Sequence, residues 1–328
     1  MNTKSNSGEI ITKRAHALAL VLGGGAAFTI AMQGLLSFAI PTQAEMITTL
    51  PSVTQSAPVV NLSDNIPLEA RAAYVFDLKT GTVLFARNEN EKIPLASVTK
   101  IMTALVAREN ISEGAVITLT KDDLSAEGDS GLRLGERWRA EDLLSVMLLI
   151  SSNDAAHTIA RFVGSVNHST QADTPVIDRT HFIQMMNEKA LALKLSEMEF
   201  FNESGLDVSE TQNGGYGSAR NVAELFAELW KKYPSAVEIT SHKDARIISQ
   251  DDIAHILPNT NEIVGHIPGL IASKTGYTTL AGGNLAVIFD RGMGDPIVAV
   301  VLGSSFKGRF EDMKKIVSTV TRLEISPE

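Results

Sequence analysis

The sequence predicts an α+β fold: one antiparallel five-stranded sheet flanked by helices, with an inserted all-helical lobe. Two strand-like apolar runs stand early in the chain and three stand late, so one sheet must be assembled from both ends. The stretch between them carries helical periodicity instead. With 328 residues, 44% apolar and 20% charged, the chain can bury a sizeable core and is not a disordered one.

Each element has its own local reason. Residues 72–76 and 82–86 flank Lys79-Thr80-Gly81, which reads as a β-hairpin closed by a glycine turn. Residues 98–109, 141–150, 154–163, 178–193 and 220–232 repeat apolar side chains at helical spacing. Strand patterns return at 270–274, 283–290 and 296–303, and an amphipathic helix over 310–323 closes the sequence. No period of 20–50 residues repeats, which rules out a solenoid.

Upstream of this block the chain reads differently. Lys13 and Arg14 precede thirty positions, 15–44, without a charged residue, the pattern of an export signal whose amino end stays inside. The 24 positions 17–40 are broken only by polar Thr29, Gln33 and Ser37, long enough for a membrane anchor. Thr42-Gln43-Ala44 ends on a small residue, as cleavage would require, so signal peptide and anchor both stay open. The expected organisation is therefore 1–44 as cytoplasmic stub plus export segment, 45–67 as a turn-rich linker, and 68–328 as the catalytic domain. Either way the domain is expected outside the cytoplasm.

Charge and cysteine usage remove several classes of function. The net charge is −9, and the first 44 residues hold Lys4, Lys13 and Arg14 against Glu9, leaving about −11 for the remainder. Such a surface disfavours nucleic acid as a partner, because phosphates need a basic face. No cysteine is present, so disulfides, thiolate zinc sites and a cysteine nucleophile are excluded. The seven histidines are scattered, and neither G-x-S-x-G nor H-E-x-x-H occurs. A hydrolase here needs another base, and lysine is the next candidate.

Three short motifs supply one: Ser97-Val98-Thr99-Lys100, Ser151-Ser152-Asn153 and Lys274-Thr275-Gly276. Each has a decoy, at Ser304–Lys307, at Ser63–Asn65 and Ser165–Asn167, and at Lys79–Gly81, so context must separate them. Ser97 opens a periodic helix, and residues three apart near a helix start lie side by side. Lys100 can accept the serine proton only when neutral, which demands burial and a nearby cation, for which Lys274 is available. The plainer reading of Ser97 is a helix N-cap. Ser151-Ser152-Asn153 lies between two apolar helical runs, where its polar groups need partners, although a simple cap of the second helix also fits. Lys274-Thr275-Gly276 ends an apolar strand, where a glycine lets an extended ligand approach the edge, or merely turns the chain. Ser304 and Lys307 point to opposite faces if their strand continues. Ser165-Val166-Asn167 reads as loop, Ser63-Asp64-Asn65 falls in the linker, and Lys79–Gly81 is explained by its hairpin.

In this order the motifs resemble the penicillin-recognising serine D,D-peptidases, specifically the D-alanyl-D-alanine carboxypeptidases. The likeness runs through Pro94-Leu95-Ala96 ahead of Ser97, and through Gly131-Leu132, Gly135-Glu136 and Glu141-Asp142 in the middle. Gly205-Leu206-Asp207, Ser218-Ala219-Arg220, Asn259-Thr260-Asn261 and Phe306-Lys307-Gly308-Arg309 extend it over roughly 68–325. The resemblance implies a penicillin-binding/β-lactamase-like fold and a set of roles. Ser97 is implied as the acylated nucleophile and Lys100 as its base, with Ser151 and Asn153 relaying a proton and positioning the substrate amide. Lys274 is implied as an electrostatic partner, and Thr275 and Arg309 as the grip on a substrate carboxylate. Gly276 lines the strand edge, and the backbone N–H groups of Ser97 and Tyr277 are implied as the oxyanion hole. The implied reaction cleaves terminal D-alanine from peptidoglycan stem peptides, needs no metal or cofactor, and is trapped by β-lactams.

Nineteen residues follow Arg309, whereas many members of the family continue into a β-rich domain and a carboxyl-terminal amphipathic helix. The expectation is that both are absent and that an uncleaved amino-terminal segment supplies membrane attachment. A single-domain form also fits the D,D-endopeptidase branch, which cuts cross-links. A β-lactamase would carry an added glutamate in a Glu-x-x-Leu-Asn context, and no such string occurs. An inactive wall-binding homologue would gain nothing from Ser97, Lys100 and Lys274.

Overall fold

Both ends of the described chain supply strands to one antiparallel sheet. The computed structural model describes residues 66–322 apart from 129, 167–174 and 293. The expected export segment, and the expected linker up to residue 65, lie outside the described residues, as does the Ser63–Asn65 decoy. Ile66, at the linker's far end, is already buried in the core.

In chain order the strands are β1 (Ala72–Asp77), β2 (Val83–Arg87), β3 (Ile93–Pro94), β4 (Val116–Thr118), β5 (Arg137–Arg139), β6 (Glu199–Phe200), β7 (Gly215–Gly217), β8 (Asp244–Ile248), β9 (Ala254–Pro258), β10 (Leu270–Thr278), β11 (Gly282–Asp290) and β12 (Pro296–Ser304). The helices are α1 (Lys100–Asn110), α2 (Ala140–Leu149), α3 (Asn153–Val166), α4 (Pro175–Ala192), α5 (Ala219–Lys232), α6 (Pro234–Glu238) and α7 (Gly308–Thr321). The main sheet has the order β10-β11-β12-β1-β2, every neighbour antiparallel, as expected from the five strand patterns.

Both faces of this sheet are covered, which explains why its strands read as unbroken apolar runs rather than alternating ones. On β11 and β12, Ala286, Ile288, Val298, Val300 and Leu302 join the core shared with the helical lobe. Their neighbours Leu285, Val287, Phe289, Ile297, Ala299 and Val301 face the opposite core. There α7 docks through Phe310, Met313, Ile316, Val317 and Val320, an apolar stripe at helical spacing. In the lobe, α1 is buried continuously from Lys100 to Ala107, the mark of a central helix with no solvent face. Among the described residues no helix is long and apolar enough to cross a membrane.

Two expectations need correction, and one element had no expectation. The strand expected to stop at Lys274 runs on to Thr278, so Lys274-Thr275-Gly276 lies within β10. Antiparallel pairing of Gly276, Tyr277 and Thr278 with Asn284, Gly283 and Gly282 carries it past the apolar run. Ser165 and Val166 are helical, the last turn of α3, and not loop; Asn167 lies outside the described residues. The hairpin β8–β9 had no sequence expectation, because its burial alternates and its polar face breaks any apolar run.

The remaining decoys resolve on burial and geometry. Ser304 is buried at the end of β12 while Lys307 is exposed beyond it, so the pair does not meet. Lys79, Thr80 and Gly81 form the β1–β2 turn, with Gly81 at φ +73° and the amides of Lys79 and Thr80 bonded to Asp77 Oδ1.

Candidate active site

The site starts where β3 leads into a 3₁₀ turn, Ala96–Thr99, that continues directly as α1. No side chain caps the N-terminus of either the 3₁₀ turn or α1, so the plain N-cap reading of Ser97 does not hold. Instead Lys100 Nζ lies 3.0 Å from Ser97 Oγ, on the face that the three-residue spacing predicts. The preceding Ala96 has φ +49°, a conformation costly for an L residue. Surrounding groups hold it there: Leu95 N donates to Gly215 O at 2.8 Å, and Asn284 Nδ2 to Pro94 O and Leu95 O at 3.1 and 2.9 Å. Gly205 is required beside it, since a Cβ there would sit 1.9 Å from the Ala96 carbonyl oxygen.

Lys100 is fully buried and donates to three acceptors: Ser97 Oγ, Asn153 Oδ1 at 2.7 Å and the Ser204 carbonyl at 2.8 Å. Burial lowers its pKa to about 7, against the opposing pull of the Glu203 carboxylate. Neutral amine is therefore available near neutral pH.

The central triplet divides its work. Ser152 takes the capping role, its Oγ accepting from Ala155 N at 3.0 Å and donating to Ser130 Oγ at 2.6 Å. That leaves its neighbours free for the cleft. Ser151, at φ +63°, accepts from Lys274 Nζ at 2.9 Å. Asn153 accepts from Lys100 and donates through Nδ2 to the Glu127 carbonyl at 2.7 Å. An open groove of about 320 Å³, lined by Ser130, Ser151, Asn153, Ile256 and Pro258 among others, runs beside this triplet.

Strand β10 forms the opposite wall and the edge of the sheet. Lys274 is buried there, and burial together with the cations Lys100 and Arg309 holds its pKa well below the usual lysine range. Its Nζ also donates to the Thr275 carbonyl at 2.9 Å. Thr275 Oγ1 shares a 2.6 Å hydrogen bond with Thr260 Oγ1. Gly276 has a packing reason: an added Cβ would meet Leu95 O at 2.9 Å, Val98 N at 3.1 Å and Ser97 N at 3.2 Å. Only glycine lets the strand approach the backbone of Ser97 this closely.

Arg309, in the first turn of α7, donates from Nη1 to the Gly276 carbonyl at 2.8 Å. Its guanidinium lies 4.5 Å from the Phe306 ring centre and 4.6 Å from that of Phe310, with Tyr277 at 6.0 Å. Its buried Nε has no hydrogen-bond partner among the described residues. Tyr277 itself is half exposed at the rim. The nine residues expected at the site thus converge, with Arg309 placed against the Gly276–Tyr277 end of β10.

Sequence reasoning missed Ser130, Glu203 and the Ser204 carbonyl, and gave Thr260 no role. The nearest signals were Gly205, beside Ser204, since a glycine beside buried polar residues marks close backbone approach, and the polar string Asn259-Thr260-Asn261.

Residues 57–305 match the model of a family described as D-alanyl-D-alanine carboxypeptidase. The chain is 31% identical over 243 residues to the D-alanyl-D-alanine carboxypeptidase DacF of Bacillus subtilis, covering 72% of this chain and 58% of that protein. It is 30% identical over 223 residues to a D-alanyl-D-alanine endopeptidase of Haemophilus influenzae, covering 67% of this chain and 70% of that one. Among solved structures, it resembles penicillin-binding protein D2 of Listeria monocytogenes in its ampicillin-bound form. That likeness has a TM-score of 0.64 and 29% identity, over 78% of this chain and 98% of that chain.

Proposed function

The chain belongs to the D-alanyl-D-alanine carboxypeptidase family, and from that premise we propose that it is a serine peptidase that removes terminal D-alanine from peptidoglycan stem peptides. The observation that carries this reading is the contact of Ser97 Oγ with a fully buried lysine amine at 3.0 Å. In the neutral form Lys100 takes the Ser97 proton as Oγ attacks the carbonyl carbon of the penultimate D-alanine. The backbone N–H groups of Ser97 and Tyr277 receive the developing oxyanion, each donor contributing roughly 10²–10³ in rate. Ser151, bonded to Lys274, relays to the departing amine the proton that Lys100 took from Ser97, so the C–N bond breaks, D-alanine leaves and the acyl-enzyme remains. Asn153 holds the substrate amide, while Thr275 and Arg309 grip the terminal carboxylate, which suits a planar guanidinium fork. Water then attacks the ester and frees Ser97. β-Lactams acylate the same hydroxyl and leave slowly.

This reaction belongs outside the cytoplasm. The domain from 68 onward works there, with 1–44 as its export segment, attached to the membrane through that segment when it stays uncleaved, and 45–67 as the linker.

Incubation of the purified protein with a fluorescent penicillin tests the nucleophile. Wild type becomes covalently labelled and S97A does not; a labelled S97A protein overturns the assignment. The endopeptidase reading has its own support in the Haemophilus relative. Digestion of cross-linked and uncross-linked muropeptides with mass analysis separates the two: release of D-alanine from pentapeptide monomers is expected. Cleavage of dimers alone would give the endopeptidase reading instead.

A further inference from the structure

Behind the lysine of the nucleophile pair lies a charged cluster to which the acyl-transfer steps assign no part. Glu203 is completely buried, its Oε1 3.0 Å from His157 Nε2 on α3 and 3.2 Å from Arg179 Nε on α4. A buried carboxylate is expensive unless it is paired, and this one is paired by two helices at once. Burial alone would raise its pKa, but His157 and Arg179 bring it below the usual glutamate value, so it stays ionised.

Its connections lead to Lys100 by three routes. The Glu203 carbonyl accepts from Thr103 Oγ1 at 2.6 Å, one turn after Lys100 on α1. The next carbonyl, that of Ser204, accepts from Lys100 Nζ. His157 stands one turn after Asn153, whose Oδ1 also accepts from Lys100 Nζ. Two of the three groups holding the amine are thus each one step from the Glu203 ion pairs.

We propose that Glu203, paired with His157 and Arg179, is a positioning residue for acyl transfer: it locks α3 and α4 to the 203–204 backbone that holds Lys100 and sets the electrostatic field felt by that amine. The inference rests on Lys100 acting as the base for Ser97. Its force comes from placement, since a glutamate with a merely structural role could occupy any buried junction of these helices.

The other charges facing these groups must be held constant. Lys274 on β10, backed by Arg309 on α7, faces Lys100. On the turns adjacent to the cluster, Asp154 and Arg161 of α3 and Asp178 and His181 of α4 are the other titratable groups.

The test is the pH dependence of the second-order rate of labelling by a fluorescent penicillin, measured on the full chain. Only neutral Lys100 accepts a proton, so the wild-type rate should rise with pH through about 7. Glu203→Gln removes the anion that favours protonated Lys100, so the limb should move to lower pH by about one unit. Arg179→Gln leaves that anion less neutralised, so the limb should move to higher pH. Movement in opposite directions supports the proposal, whatever the change in melting temperature. Limbs that coincide with wild type, or shift together, overturn it. If Glu203→Gln fails to fold, the partly buried Arg179 site decides alone: an upward shift supports the proposal and an unmoved limb overturns it. A wild-type protein that is not labelled, or an S97A protein that is, defeats the underlying reading instead.

Discussion

At the scale of single residues, the site depends on what is missing as much as on what is present. Gly276 carries no side chain, and that absence lets β10 lie against the amide of Ser97. Gly276→Ala would force a methyl to within 2.9 Å of the Leu95 carbonyl and 3.2 Å of the Ser97 amide nitrogen, both backbone atoms. Neither can swing aside as a flexible side chain would, so the strand must retreat by several tenths of an ångström. Oxyanion donors and nucleophile then separate; a misplacement of about 1 Å costs about 10²-fold in rate, so a shift of several tenths should cost about 10-fold. Stopped-flow labelling with a chromogenic cephalosporin should show that loss, with the melting temperature changed far less. A rate within about twofold of wild type would mean that the Ser97 and Tyr277 amides do not act together. Sequence reading found Gly276 as an edge residue but not its partner, because the approach joins Gly276 to Ser97, 179 positions earlier.

At the scale of elements, legibility followed burial. The helix α1 and the strands β11 and β12 were readable because a segment buried on all sides is predominantly apolar, even where it carries a site residue such as Lys100 or Asn284. Strand β10 was readable only up to Lys274, where side chains stop serving the core and begin serving the cleft. Its remaining residues are strand because β11 pairs with them, and pairing partners leave no local trace. The same argument covers β3 and β7, two and three residues long, whose ladder partners are each other and, for β7, β6. Within the site, the motif residues were legible because each carries its own chemistry. Glu203 and Thr260 were not: a lone glutamate or threonine in a polar run looks the same whether it is solvated or buried in an ion pair.

At the scale of the whole molecule, the sheet must close around a chain whose first and last strands come from opposite ends. β1 is the closing strand, paired with β12 on one side and β2 on the other. Asp312 on α7 secures that junction from behind: it is fully buried, and its two carboxylate oxygens accept from Glu69 N at 2.9 Å and from Ala70 N and Ser304 Oγ, both at 2.8 Å. One side chain thus binds the entry to β1, the exit of β12 and the final helix. Asp312→Ala would orphan these donors in a site with little access to water, and each orphan costs about 1–3 kcal/mol before relaxation. A net loss of about 2–4 kcal/mol is expected, read as a lower urea midpoint with an unchanged slope. Asp312→Asn keeps one acceptor oxygen but places an amide donor against other donors, so it should recover only part of the loss. An unchanged midpoint in the alanine variant would mean that the apolar stripe of α7, from Phe310 to Val320, closes the sheet unaided.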